Sequence, residues 1–182
     1  KSLTTVNGVF SLNNHSQLVD LTGLETLKFL KRWLSIDRNA MLNSISALSN
    51  LAHISEGCSI SYHPKLKSLA GLENIPATDG VFYLNNNDSL MDISAIANLS
   101  PNSITELQLR ANPQLDFCAV KVICEFLEQA TDELIIIEGN AADCLDRTTI
   151  SNECGIDFEA APVSNKTIEW NWTSHIKRTS QS

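Results

Sequence analysis

The 182-residue chain has no apolar run long enough to span a bilayer, and its first residues do not form a secretory leader. It also lacks an initiator Met, so we expect a mature product or an excised piece. Cations are scarce: 13 Lys and Arg stand against 21 Asp and Glu, a formal net charge of −8. Nucleic-acid backbones and anionic membranes reward clustered Lys and Arg, so neither is an expected partner. Catalytic signatures are missing as well. There is no nucleophile elbow, phosphate loop, HExxH or paired-carboxylate motif, and the acids scatter over positions that read as a solvated face. The chain is therefore not expected to be an enzyme, to need a cofactor or to hold a metal. What it does have is 43% apolar residues, enough for one domain with a sizeable core and too many for wholesale disorder.

Those apolar residues repeat. Leu12, Ile36, Ile60 and Leu84 lie 24 residues apart, Leu109 follows after 25 and Ile137 after 28. Two residues before each stand Phe10, Leu34, Cys58, Phe82, Leu107 and Ile135. That alternation is a short strand with two inward side chains. At nine, twelve and fifteen residues beyond the anchors come Leu21, Leu24 and Leu27, then Ile45, Leu48 and Leu51, then Leu69, Leu72 and Ile75, then Ile93, Ile96 and Leu99. A period of three fits neither helix nor strand. It fits coils of a solenoid, in which tight turns bring a side chain inward every third residue and the strands of successive coils form a parallel sheet. Burying one Leu or Ile is worth roughly 1.5–3 kcal/mol, so a coil offsets its ordering entropy only when stacked.

Three residues past the anchors runs a polar column: His15, Asn39, His63, Asn87, Asn112 and Asn140. Backbone groups turning out of a strand have no sheet partner, and a buried side-chain amide can bond them to the next coil. Imidazole can partly substitute. Metal binding by His15 and His63 is the weaker reading, because two coils separate them by roughly 10 Å. Five N-x-S/T sequons start at Asn14, Asn87, Asn98, Asn165 and Asn171, and that at Asn87 falls in the buried column, where no glycan fits.

Outward strand positions carry mixed chemistry. Trp33, Tyr62 and Tyr83 supply aromatic area, with Asp37, Arg38, Asn85, Gln108 and Arg110 beside them. Such a face suits protein or glycan recognition; a solvated sheet face is the plainer reading. Trp33 and Tyr83 should lie two strands, roughly 10 Å, apart, and Asn13 should be an exposed position. Near the end, Val120, Ile123, Cys124 and Leu127 recur at helical spacing between Cys118 and Ala130. This helix should cover the last coil before a final strand through Ile135 and Ile137. Leu3, Val6 and Val9 match Leu27, Leu30 and Trp33, so the chain begins partway through a coil, and upstream repeats or a partner are expected over that end. The layout is then 1–117 repeats, 118–154 cap and 155–182 tail, the last with Trp170 and Trp172 and no repeat frame. Cys118, Cys124, Cys144 and Cys154 cluster in the cap at spacings without a C-x-x-C zinc knuckle, while Cys58 takes an inward strand position.

The string "ITELQLRANPQL" (104–115) fits the leucine-rich-repeat pattern L-x-x-L-x-L-x-x-N with one extra residue before the next Leu. With "LAGLENI" and "GVFYLNNNDSL" it resembles the receptor L-domain variant. The segment "NPQLDFCAVKVICEFLEQ" and the cysteines after it resemble the end cap of such solenoids in secreted Bacteroidetes proteins. The glycine usual before the strand is Gly8, Gly80 and, shifted by one, Gly57, but Arg32 in the second coil. The resemblance implies a mainly β, right-handed solenoid with short helices, secreted or at the cell surface, that binds an extracellular protein or glycan. A passive spacer in a larger adhesin is the alternative. In a secreted chain the late cysteines read as two disulfides with three connectivities open. The end-cap resemblance implies the interleaved one, Cys118–Cys144 with Cys124–Cys154.

Overall fold

A computed structural model describes residues 2–156; the expected tail with Trp170 and Trp172 lies outside them. The described chain is a strand-rich mixed α/β structure. In order come β1 (Thr5–Val6), β2 (Phe10–Asn13), β3 (Phe29–Leu30), β4 (Leu34–Asp37), β5 (His53–Ile54), β6 (Gly57–Ser61), β7 (Gly80–Asn85), β8 (Ile104–Arg110), helix α1 (Lys121–Gln129), β9 (Ile135–Glu138) and helix α2 (Arg147–Glu153). Strands β2, β4, β6, β7, β8 and β9 form one sheet in that order, and β1, β3 and β5 a second, smaller one. Every pairing is parallel. Phe10 stands opposite Leu34, Leu34 opposite Cys58, Cys58 opposite Phe82, Phe82 opposite Leu107, and Leu107 opposite Ile135. The register is the sequence repeat itself.

The period of three has a direct cause. Leu24 N–H donates to the Leu21 carbonyl and Leu27 N–H to that of Leu24. The same i to i+3 bonds link Ile45, Leu48 and Leu51, then Leu69, Leu72 and Ile75, then Ile93, Ile96 and Leu99. A chain of 3₁₀-type turns has three residues per turn, so one side chain in three points the same way. Two such stretches, Ser46–Leu48 and Ser94–Ile96, are regular 3₁₀ helices. The inward residues join one core that runs without a break into the cap. Phe10 and Leu12 are only half-buried, since no repeat stacks on their far side among the described residues.

Strand β9, which lies within the expected 118–154 cap and carries the sixth anchor Ile137, is the sixth strand of the large sheet. Helix α1 begins at Lys121, not at Cys118; Cys118 to Val120 are not helical, and the Val120 N–H donates to the Cys118 carbonyl. The seven-residue α2 is the element the periodicity missed. Asp146 caps it, its Oδ1 accepting from both N–H and Oγ1 of Thr149, and those bonds hold the Asp146 carboxyl below the usual carboxylate range. Cys118 is bonded to Cys144 and Cys124 to Cys154, with Cα atoms 5.3 and 5.5 Å apart, which is the interleaved pairing. Among the described residues no helix is long and apolar enough to cross a membrane.

The asparagine column is built as a ladder. Asn39 Nδ2 donates to the Leu12 carbonyl at 2.7 Å while its Oδ1 accepts the His15 N–H at 2.8 Å. Asn87 does the same to Ile60 and His63, Asn112 to Leu84 and Asn87, and Asn140 to Leu109 and Asn112. His15 is a correction: its ring is exposed, and only its backbone enters the ladder. His63 is buried with Nε2 2.8 Å from the Ile36 carbonyl and Nδ1 3.3 Å from that of Asn39. A neutral ring has one N–H, so it can donate to one of these carbonyls and faces the other with a lone pair. Burial holds the His63 pKa below its usual value despite those carbonyls and nearby Asp37. A second asparagine ladder, unread in the sequence, runs on the opposite side: Asn50, Asn74 and Asn98 donate to the Glu25, Ser49 and Glu73 carbonyls.

Candidate functional site

A further column precedes the asparagines. Asn14, Arg38, Tyr62, Asn86, Ala111 and Gly139 each follow a strand of the large sheet, and all six have positive φ, from 52° to 69°. The N–H of each of the first five still donates to the next strand's last carbonyl, from Asp37 to Glu138. The left-handed corner then turns the following residue inward to join the ladder. Gly, Asn and Asp accept this conformation most readily. At Arg38, Tyr62 and Ala111 the residue type gives no hint of it, so the packing on either side imposes it.

The sheet's outward face divides in two. On β2, β4 and β6 it closes on itself. Asn13 Oδ1 accepts the Asp37 N–H at 3.0 Å and lies 3.0 Å from Ser35 Oγ. The Asp37 carboxylate accepts from Ser35 at 2.6 Å and from Ser59 at 2.9 Å, and Ser59 lies 3.2 Å from Ser61. Ser35 and Ser61 are buried, so Asp37 is engaged within the sheet, and Asn13 is neither fully exposed nor idle. On β7 and β8 the Glu106 carboxylate is the hub. It accepts from Gln108 Nε2 at 2.7 Å, Gln108 Oε1 accepts from Asn85 Nδ2 at 3.2 Å, and the Tyr83 phenol lies within its influence. Burial first, then nearby Glu106, pushes the Tyr83 phenol up.

Trp33 and Tyr83 are closer than strand counting predicts. Their ring centroids are 6.2 Å apart at 67°, an edge-to-face pair. Gly57 between them is the reason: with φ of +110°, any Cβ there would fall 2.4 Å from the Val81 carbonyl oxygen and 3.0 Å from the Trp33 ring. Without one, the indole lies across the intervening strand. Arg32, on the glycine position of its repeat, points to solvent and pairs with Glu56 at 3.0 Å.

Three of the eight sequence-predicted residues, Tyr62, Asn85 and Arg110, line one open depression of about 590 Å³ together with Asn86, Ala111, Glu138 and Gly139. Trp33, Asp37, Arg38, Tyr83 and Gln108 lie outside it. Arg38 stacks its guanidinium 4.6 Å from the Tyr62 ring centre. Arg110 meets Glu138 at 2.5 Å, both largely exposed. Of the four residues missed in the sequence, Asn86 and Gly139 are of types that accept a left-handed corner, Ala111 carries no such mark, and Glu138 stands opposite Arg110 in the strand register. Among the described residues no group of three or more His, Cys, Asp or Glu is placed to hold a metal ion. Comparison with known proteins places the chain beside none of them: no family model, no curated protein and no solved structure matches it.

Proposed function

We propose that the chain is a secreted or cell-surface recognition module. In this reading it is a right-handed solenoid of leucine-rich coils of the receptor L-domain kind, closed by a disulfide-stapled cap, that binds an extracellular protein or glycan on the outward sheet face and its rim. The observation that carries it is the rim depression, where an exposed aromatic ring, two amides and an exposed ion pair from four adjacent strands share one concave surface. Mixed aromatic and polar groups of this kind suit recognition. Two disulfides fit an oxidising compartment. No catalytic role is assigned. The spacer reading draws on the self-bonded half of the face, where Asn13, Ser35, Asp37 and Ser59 satisfy one another.

A glycan and secreted-protein array probed with wild type, Trp33→Ala and Tyr62→Asn is the test. Binding that either substitution weakens by about tenfold or more supports the reading, that being the loss expected of an aromatic anchor. Asparagine is chosen at Tyr62 because it accepts the left-handed corner. Binding untouched by both substitutions moves the site elsewhere, and no binding on the array favours the spacer.

A further inference from the structure

The rim depression has a shape and a chemistry that select among ligands. Along the left-handed corners the side chain shrinks from strand to strand: Tyr62, Asn86, Ala111, Gly139. The column therefore descends from a ring to a bare backbone. At ordinary strand spacing these four corners span roughly 14 Å, a trough with Tyr62 as its wall and Ala111 and Gly139 as its floor. Along one side stand Asn85, Arg110 and Glu138.

Charge narrows the choice. From residue 68 to 156 there are three Lys and Arg against fourteen Asp and Glu, so an anionic ligand meets a repulsive field. Close at hand the balance reverses, with Arg38 on Tyr62 and Arg110 on Glu138, and a cationic ligand would have to displace Arg110 from Glu138. A neutral ligand suffers neither penalty. Lining groups that both donate and accept, Asn86 and the Arg110–Glu138 pair, match a ligand dense in hydroxyls, each of which is donor and acceptor at once. The Tyr62 ring offers an apolar surface for the C–H face of a sugar.

We propose that this trough binds a neutral oligosaccharide, lying across the strands from Tyr62 to Gly139. The proposal rests on the recognition reading above and narrows it to one ligand class and one part of the surface. The probes are neutral tetrasaccharides of glucose, xylose, mannose, galactose and N-acetylglucosamine, with a tetragalacturonate and a lysine-rich peptide as charged controls. Each is titrated into the isotope-labelled protein and followed by amide chemical shifts.

At least one neutral tetrasaccharide should shift the Asn86, Ala111 and Gly139 amides saturably, and more tightly than its monosaccharide does. Tyr62→Asn and Glu138→Gln should each weaken it by about tenfold. Gly139→Asn, which tolerates the corner and fills the floor, should weaken it likewise without removing a lining group. Silence from every neutral probe up to about 10 mM, or shifts from the charged controls alone, overturns the proposal. If a saccharide binds and Trp33→Ala abolishes it while Tyr62→Asn, Glu138→Gln and Gly139→Asn do not, the trough is wrong and the sheet-face reading survives. If binding elsewhere ignores all four variants, both fail.

Discussion

At Ala111 a methyl-bearing residue is held at φ of 52°, a conformation that costs an L-residue roughly 1–2 kcal/mol. Ala111→Gly should therefore raise the unfolding free energy by about 0.5–1 kcal/mol after the unfolded glycine's extra entropy is counted, read as a higher urea midpoint. In the asparagine column the balance runs the other way. Asn39→Ala or Asn87→Ala leaves buried backbone groups unpaired and should cost about 1–3 kcal/mol, whereas His15→Ala, with its ring in solvent, should leave the midpoint unchanged. His63 is the irregular member. Its ring cannot offer the Asn39 amide a carbonyl oxygen, as Asn87 does for His63 itself. His63→Asn should complete the ladder and stabilise by about 1 kcal/mol. It should also change the pH response. With the folded pKa depressed by burial, the unfolded chain takes up a proton near 6.5 that the folded chain refuses. Stability in the wild type then falls as pH drops below that value, and urea midpoints measured between pH 7.5 and 5 should show a shallower fall for His63→Asn.

Within the repeats, the inward positions, the strand register and the leucines at every third place were legible because each is fixed by a column of like residues. The corners were legible only where the residue type prefers them, as at Asn14, Asn86 and Gly139. Arg38, Tyr62 and Ala111 carry no such mark. Helix α2 was hidden for a related reason: its first turn is Arg147, Thr148 and Thr149, and β-branched residues give little helical signal when the cap at Asp146 supplies the start. Trp33 was misplaced because its reach depends on a glycine one strand away. Its packing on Gly57 and Tyr83 also means that Trp33→Ala should lower the unfolding free energy by the roughly 0.5–1.5 kcal/mol an aromatic pair adds beyond its buried area, read as a lower melting temperature. Inside the core of the repeats, Thr78 Oγ1 is buried without a partner, in a small apolar void lined by Ile54, Cys58, Leu72 and Phe82 among others. Thr78→Val replaces that hydroxyl by a methyl of like size and should stabilise by about 1 kcal/mol or more, measured by the same melts.

Across the whole molecule, one core joins the repeats to the cap, and the two disulfides hold the chain around both helices to it. Breaking either bridge should cost roughly 2–4 kcal/mol. Non-reducing mass spectrometry should find four of the five cysteines oxidised. Cys58, whose thiol burial pushes up to about 12, should take an alkylating label only after denaturation. The helix near the end and the final strand were legible from the apolar spacing, whereas the cysteines alone left three connectivities open and the end-cap resemblance implied the one found. The trough was not, because it arises from corners, two of which, Tyr62 and Ala111, are of residue types that do not mark a left-handed turn. Its shape depends on the asparagine ladder, which fixes where each corner turns. Amide hydrogen exchange in Asn112→Ala tests that dependence most directly. Asn112 Oδ1 takes up the Asn87 N–H at 3.1 Å, so the Asn87 amide should lose most of its protection, with Asn86 and Ala111 beside it loosened and core residues Leu34 and Ile36 of β4 unchanged. An Asn87 amide as protected in the variant as in wild type would contradict the ladder, and with it the account of how the trough is held.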